Sequence, residues 1–226
     1  MDQEKVSEML RSIETECRFT QGYTGIESFK PEVMAALARV PREKFVPHYL
    51  KALAYENQPL PIGDGQTISQ PYIVALMTDL LCPEKDHVIL EVGAGSGYQA
   101  AVLSQLVKKV HTIEIVPALA EKAAQTLKEL GYLNIEIHQR DASRGLQEHA
   151  PFDGIIVTAA ASHVPQVLKE QLKPGGRLVI PVGGPQMSQD LLLIQKNKRG
   201  EFTSKNILPV VFVPFTGELN ADDNLK

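Results

Sequence analysis

Residues 86–101, Asp-His-Val-Ile-Leu-Glu-Val-Gly-Ala-Gly-Ser-Gly-Tyr-Gln-Ala-Ala, constrain this chain more than any other stretch. Val88 to Val92 is a short, apolar, partly β-branched run that stops abruptly at glycines. Ala101, Val102 and Leu106 then return at helical spacing, so the pattern is strand, tight turn, helix. Gly93, Gly95 and Gly97 carry no Cβ, so the backbone at those positions can approach a ligand closely. A nicotinamide fingerprint would need a further glycine at position 98, which is Tyr98. Glu91 is out of place in a buried parallel strand unless it faces something polar.

The rest of the chain repeats the alternation. Val110 to Ile115 reads as a second strand, and Pro117 opens a helix that Gly131 closes. Ile135 to His138 is a third strand and Asp153 to Val157 a fourth. A helix follows over Val164 to Leu172, and Lys173-Pro-Gly-Gly-Arg177 turns the chain into a strand over Leu178 to Ile180. Strands alternating with helices predict an α/β fold with a doubly wound, mostly parallel sheet and a ligand at the carboxyl ends of its strands. Leu191 to Gln195 and Ile207 to Phe215 break the rhythm and predict an antiparallel pair on one edge. Helices are expected at the N-terminus, over residues 4–18 and from Pro31 to just before Pro41, and Val40 to Pro47 then reads as a turn into another short helical piece. The expected organisation is one domain over 1–226. It comprises helices and a loop (1–86), a cofactor-binding core (87–183), edge strands (184–218) and a frayed tail (219–226).

Three carboxylates fall at or just after strand ends. Glu91 precedes the glycines, and Glu114 lies about 20 residues beyond them, where an acidic side chain can accept both ribose hydroxyls. Asp141 follows the third strand, where it could accept from an adenine amino group while Ala142 offers its backbone N–H. Taken singly, Glu114 could be a solvated strand end and Asp141 a turn cap. Together with the glycine turn they suit a cationic, adenosylated amino acid better than a pyrophosphate, and S-adenosylmethionine has that chemistry. Asn57 to Tyr72, with three prolines, two glycines and few residues to anchor a core, reads either as a loop capped by Ser69 or as one lip of the site.

The totals exclude several classes. A net charge of −4 gives no general attraction to nucleic acid or anionic membrane. Cys17 and Cys82 are too few and too far apart for a disulfide framework, so a cytoplasmic protein is expected. No N-terminal apolar stretch resembles a signal peptide, and no run approaches the ~20 apolar residues a membrane span needs. The six histidines show no metal-ligand spacing, and no metal site is expected.

The glycine-rich piece, together with Gly63-Asp-Gly-Gln-Thr-Ile-Ser-Gln-Pro71, Lys173-Pro-Gly-Gly-Arg-Leu-Val-Ile-Pro-Val-Gly183 and Val211-Phe-Val-Pro-Phe-Thr-Gly217, resembles the protein-L-isoaspartate O-methyltransferases. These belong to the class I S-adenosylmethionine-dependent methyltransferases, whose fold is Rossmann-like. The resemblance covers about residues 4–218. Family members often have Ile and Thr where this chain has Val92 and Ala94. The resemblance implies methyl transfer from S-adenosylmethionine to the free carboxylate of L-isoaspartyl residues, with Ser69 in the active site. It implies cofactor contacts from Thr67, Ile68, Ser69, Glu91, Gly93, Gly95, Gly97, Glu114, Asp141, Ala142 and Thr216. It also implies isoaspartyl proteins and peptides as partners; a monomer is expected. Loss of Ser69 should reduce turnover, whereas loss of Glu91, Glu114 or Asp141 should weaken cofactor binding first. Two other readings are a class I methyltransferase with another acceptor and a non-catalytic nucleotide-binding module. Amine methylation commonly uses an Asp/Asn-Pro-Pro-Tyr element after the fourth strand, where this chain has Thr158-Ala-Ala-Ala161.

Overall fold

The computed structural model describes residues 2–184 and 188–217. The expected tail over 219–226 lies outside them. A seven-stranded sheet runs through the described residues, built from β3 (Val88–Val92), β4 (Lys109–Glu114), β5 (Ile135–Gln139), β6 (Phe152–Val157), β7 (Leu172–Val182), β8 (Gln189–Lys196) and β9 (Phe202–Val210). Its order is β5-β4-β3-β6-β7-β8-β9. The first five strands in that order pair in parallel, and β8 and β9 are antiparallel, as expected. The chain reverses its winding between β3 and β6, which opens a crevice at their carboxyl ends.

Alternate residues of each strand enter different layers. Ile89, Val110, Ile156 and Val179 join a core with the helices α1 (Gln3–Thr24), α2 (Pro31–Arg39), α3 (Pro71–Leu81), α4 (Tyr98–Ser104) and α5 (Pro117–Glu129). Leu90, Ile113, Ile155 and Leu178 face a second core, closed by α6 (Gln166–Glu170) and by the irregular segment holding Ala142 and Leu146. Neighbours along a strand thus serve opposite faces, as a pleated strand requires.

Several elements differ from expectation. Helix α1 runs past residue 18 to Thr24, and its first αL residue is Gly25. Its inner positions after Cys17 are taken by threonines, so the apolar periodicity fades while the helix continues; Thr20 bonds the Tyr72 hydroxyl at 2.6 Å. Helix α6 is shorter than expected, with Pro165 at its N-cap, and Leu172 already belongs to β7. The expected turn at 173–177 is absorbed as an irregularity within that strand. The segment before α3 is not a bare loop. It forms an antiparallel hairpin, β1 (Leu60–Gly63) and β2 (Gln66–Ile68), that buries Leu60, Ile62 and Ile68. Asp64 and Gly65, both at positive φ, make its tight turn. Ser69 does not cap α3: the N-cap is Gln70, and the Tyr72 amide donates instead to Asn57 Oδ1 at 2.9 Å. The chain also leaves the sheet edge at Val210, short of the expected Phe215. Pro214 then bridges to Ala160 beyond the end of β6.

Candidate active site

The crevice is organised by the glycine turn. Gly93, Gly95 and Gly97 have φ of 98°, 53° and 86°. A Cβ on Gly93 would also stand 2.5 Å from Thr158 Oγ1. That hydroxyl donates to Gly93 O (2.6 Å), with Val92 O 3.1 Å away, and Ile113 O accepts from Gly93 N and Ala94 N. The ends of β3, β4 and β6 are thereby tied to one turn.

Glu114 closes it. Its Oε2 accepts from Gly95 N at 2.8 Å and its Oε1 from Val116 N at 2.9 Å, while the side chain lines the cavity. Each carboxylate oxygen keeps a further lone pair for a ligand hydroxyl. Thr67, Ile68, Ser69, Gly93, Gly95, Ala142 and Thr216 line the same cavity. The segment 213–216 crosses over it, held by Ala160 N donating to Val213 O and Phe215 N to Ala160 O.

Three expected contacts sit differently. Gly97 is behind the cavity wall, against Leu127. Asp141 lies between Arg140 and Ala142, which are on the wall; its Oδ1 accepts from Ser143 N at 2.7 Å, so the turn-cap reading describes that oxygen. A Cβ on Gly217 would stand 2.7 Å from the same oxygen, which shows how closely the crossing segment approaches Asp141. Glu91 is fully buried below the turn, outside the cavity wall, with no hydrogen-bond partner for either oxygen among the described residues. Glu91 shares a face with Glu114 but pairs with Thr112, two residues earlier on β4, so it sits deeper, in the helical layer, and not at the rim. Burial pushes its carboxyl up to about 8, outweighing the nearby Thr112 hydroxyl, which favours the charged form, and Glu114 adds repulsion, so it is protonated at neutral pH.

Sequence reasoning missed two residues. Thr158 is one, described above. The other is Arg42, fully buried in the short helical turn Arg42–Lys44. Its Nε donates to Ala54 O at 2.8 Å, and one Nη donates to Ser69 O at 2.7 Å. The guanidinium lies 4.7 Å from the Tyr98 ring centroid, and burial lowers its pKa to about 10, which leaves it charged. It therefore suspends the hairpin segment over the first residue of α4. An arginine in a short charged triplet between Pro41 and Pro47 was the available signal, and it is a weak one.

A second cavity adjoins the first. It runs along Pro59, Tyr72, Ile73 and residues 208–213, and the two share Thr67, Ser69, Thr158 and Val213. Among the described residues no protein group bonds Ser69 Oγ, although its carbonyl is held by Arg42.

A sequence model of the protein-L-isoaspartate(D-aspartate) O-methyltransferase family matches residues 21–220. The chain belongs to this family. It is 56% identical over 211 residues to protein-L-isoaspartate O-methyltransferase 2 of Syntrophobacter fumaroxidans, covering 93% of this chain and 85% of that one. It is 53% identical to the Polaromonas sp. protein of the same name, covering 93% and 100%. A solved protein-L-isoaspartate O-methyltransferase superposes with a TM-score of 0.82 at 27% identity, covering 95% of this chain and 67% of that one. A Plasmodium falciparum structure in complex with S-adenosyl-L-homocysteine shares the fold, with a TM-score of 0.76 at 24% identity, covering 96% and 99%. As a member of the protein-L-isoaspartate O-methyltransferases, the chain is an S-adenosylmethionine-dependent enzyme that methylates L-isoaspartyl residues.

Proposed function

We propose that the two adjoining cavities divide the reaction between them. S-adenosylmethionine occupies the one under the glycine turn, the isoaspartyl segment lies in the groove along 208–213, and Ser69 stands where they meet. The observation that carries this is the shared wall of Thr67, Ser69, Thr158 and Val213. Glu114 would hold the ribose hydroxyls, with Gly93, Gly95 and the Thr67–Ile68 backbone beside the amino-acid end, Ala142 beside the adenine and Thr216 on the lid. Glu91 would support this site from below the turn.

The chemistry asks for little beyond position. A side-chain-like carboxylate has a pKa near ~4 and is already ionised at neutral pH, so no general base is required. Its oxygen attacks the methyl carbon in line, the C–S electron pair returns to sulfur, and the sulfonium loses its charge. The products are a methyl ester and the uncharged thioether. The ester then cyclises to a succinimide with loss of methanol. Holding three atoms in line and excluding water can supply up to ~7–11 kcal/mol. Ser69 Oγ orients the acceptor by donating to it and is not a nucleophile. The enzyme is further proposed to be a single domain acting as a monomer in the cytoplasm, without nucleic-acid or membrane partners. Its net charge of −4 and its two free cysteines support that reading.

Removing one hydrogen bond to a charged acceptor costs ~1.5–3 kcal/mol, so Ser69→Ala should lower kcat ~10–100-fold. Cofactor Kd, measured by calorimetry, should stay within about twofold, whereas Glu114→Ala should raise it by a comparable ~10–100-fold. Lost cofactor affinity with normal turnover at saturation in Ser69→Ala would contradict the assignment.

A further inference from the structure

Parallel pairing of β4 and β5 brings together side chains that the sequence keeps far apart. His111 pairs in register with Glu136, and Ile113 with His138, so His111, Glu136 and His138 emerge on one sheet face. The short helical turn Gln147–His149 returns the chain over that face, and the His149 ring stacks on His111 with centroids 4.2 Å apart. His111 Nδ1 and His138 Nε2 are 3.1 Å apart; Glu136 Oε2 lies 3.8 Å from the first, and Glu136 Oε1 lies 3.9 Å from the second. All four residues offer a ligand atom within 4.8 Å of every other.

We propose that His111, Glu136, His138 and His149 form a structural site for a divalent transition cation, with zinc the expected occupant. Bonds of ~2.0–2.1 Å in a tetrahedron place ligand atoms ~3.3–3.4 Å apart; the separations among His111, His138 and Glu136 bracket that spacing, and His149 comes within 4.8 Å of each. Three imidazoles and one carboxylate suit zinc and its neighbours, whereas magnesium and calcium ask for oxygen ligands alone. Four protein ligands fill the tetrahedron, which marks a structural rather than a catalytic site. The cation replaces the proton shared between His111 and His138, whose donor ring moves its hydrogen to the far nitrogen. The competing cation is Lys109, whose Nζ stands 3.0 Å from Glu136 Oε2; its side chain is partly exposed and can swing outward.

The location gives the site a purpose. His111 is three residues before Glu114, and His138 three before Asp141. His149 ends the segment that begins with Ala142 on the cofactor cavity wall. A bound cation would staple this segment to β4 and β5, so occupancy would stiffen the adenosine side of the cavity without touching the reacting atoms.

The test uses tag-free protein stripped with chelator. Zinc chloride is titrated by calorimetry, cobalt chloride by visible absorption, and histidine side-chain resonances are followed by NMR. The site predicts one equivalent of zinc and the intense visible bands of four-coordinate cobalt. It also predicts shifts confined to His111, His138 and His149, with His48, His87 and His163 unmoved. Glu136→Gln and His149→Ala, at partly or fully exposed positions, and the more buried His138→Asn should each weaken zinc by more than the ~10–100-fold typical of losing a supporting group. Shifts centred on any other histidine would overturn the proposal. So would unchanged affinity in the folded variants, or no binding below millimolar zinc.

Discussion

Glu91 and Glu114 are two carboxylates on one face of adjacent strands with opposite surroundings. Glu114 meets two backbone N–H groups at the strand end, whereas Glu91 lies under the turn with neither oxygen bonded. Their difference makes a pH prediction. Below about 4.5 Glu91 is protonated whether the chain is folded or not. As pH rises toward 8 the unfolded chain releases a proton that the fold retains, so this residue lowers stability progressively over that window. Glu91→Gln keeps the shape and cannot ionise. Its melting temperature relative to the parent should therefore climb between pH 5 and pH 8, by about 2–4 °C for each kcal/mol relieved. An equal difference at both pH values would contradict the burial argument. The sequence did announce Glu91 as unusual, since an acid in an apolar strand demands a reason. It could not say which face the acid would take, because that depends on where β4 and α4 pack.

At the scale of elements, the site rests on a hairpin and a crossing segment that have no covalent reason to stay in place. Arg42 is the tie for the first, reaching the carbonyls of Ala54 and Ser69 with different nitrogens of one planar group. A lysine brings one compact charge and cannot serve both. Arg42→Lys should raise the peptide KM roughly tenfold and speed amide exchange over residues 57–69, with cofactor Kd within about threefold; a change in one fork contact of ~1–1.5 kcal/mol has that size. Unchanged exchange there would remove Arg42 as a positioning residue. The second element is secured by Gln189, whose amide exchanges two hydrogen bonds with Phe212 as the chain leaves β9. The parallel strands were legible because β-branched runs and glycine or proline boundaries coincide there. The hairpin is hard to read from sequence although Asp64-Gly65 is a strong turn signal, because the neighbouring prolines favour a loop. The end of α1 was missed because Thr20 and Thr24 occupy inner positions that periodicity assigns to apolar residues.

Across the whole molecule, one rule of the fold places everything else. The chain winds outward from β3 in both directions, so the rim between β3 and β6 collects the glycine turn, Glu114 and Thr158. The hairpin and the 211–217 segment come from opposite ends of the sequence to roof it. That convergence is what sequence alone could not show: Ser69 and Val213 are 144 positions apart and share a cavity wall. The same non-local logic hid the cluster of His111, His138 and His149, whose spacing matches no ligand motif. The most direct measurement is a crystal structure of the enzyme with S-adenosyl-L-homocysteine and an isoaspartyl peptide. It should place the thioether sulfur under the glycine turn, and the isoaspartyl carboxylate within hydrogen-bond reach of Ser69 Oγ, with the peptide along residues 208–213. A peptide seated away from that groove, or a carboxylate out of line with the sulfur, would contradict the account.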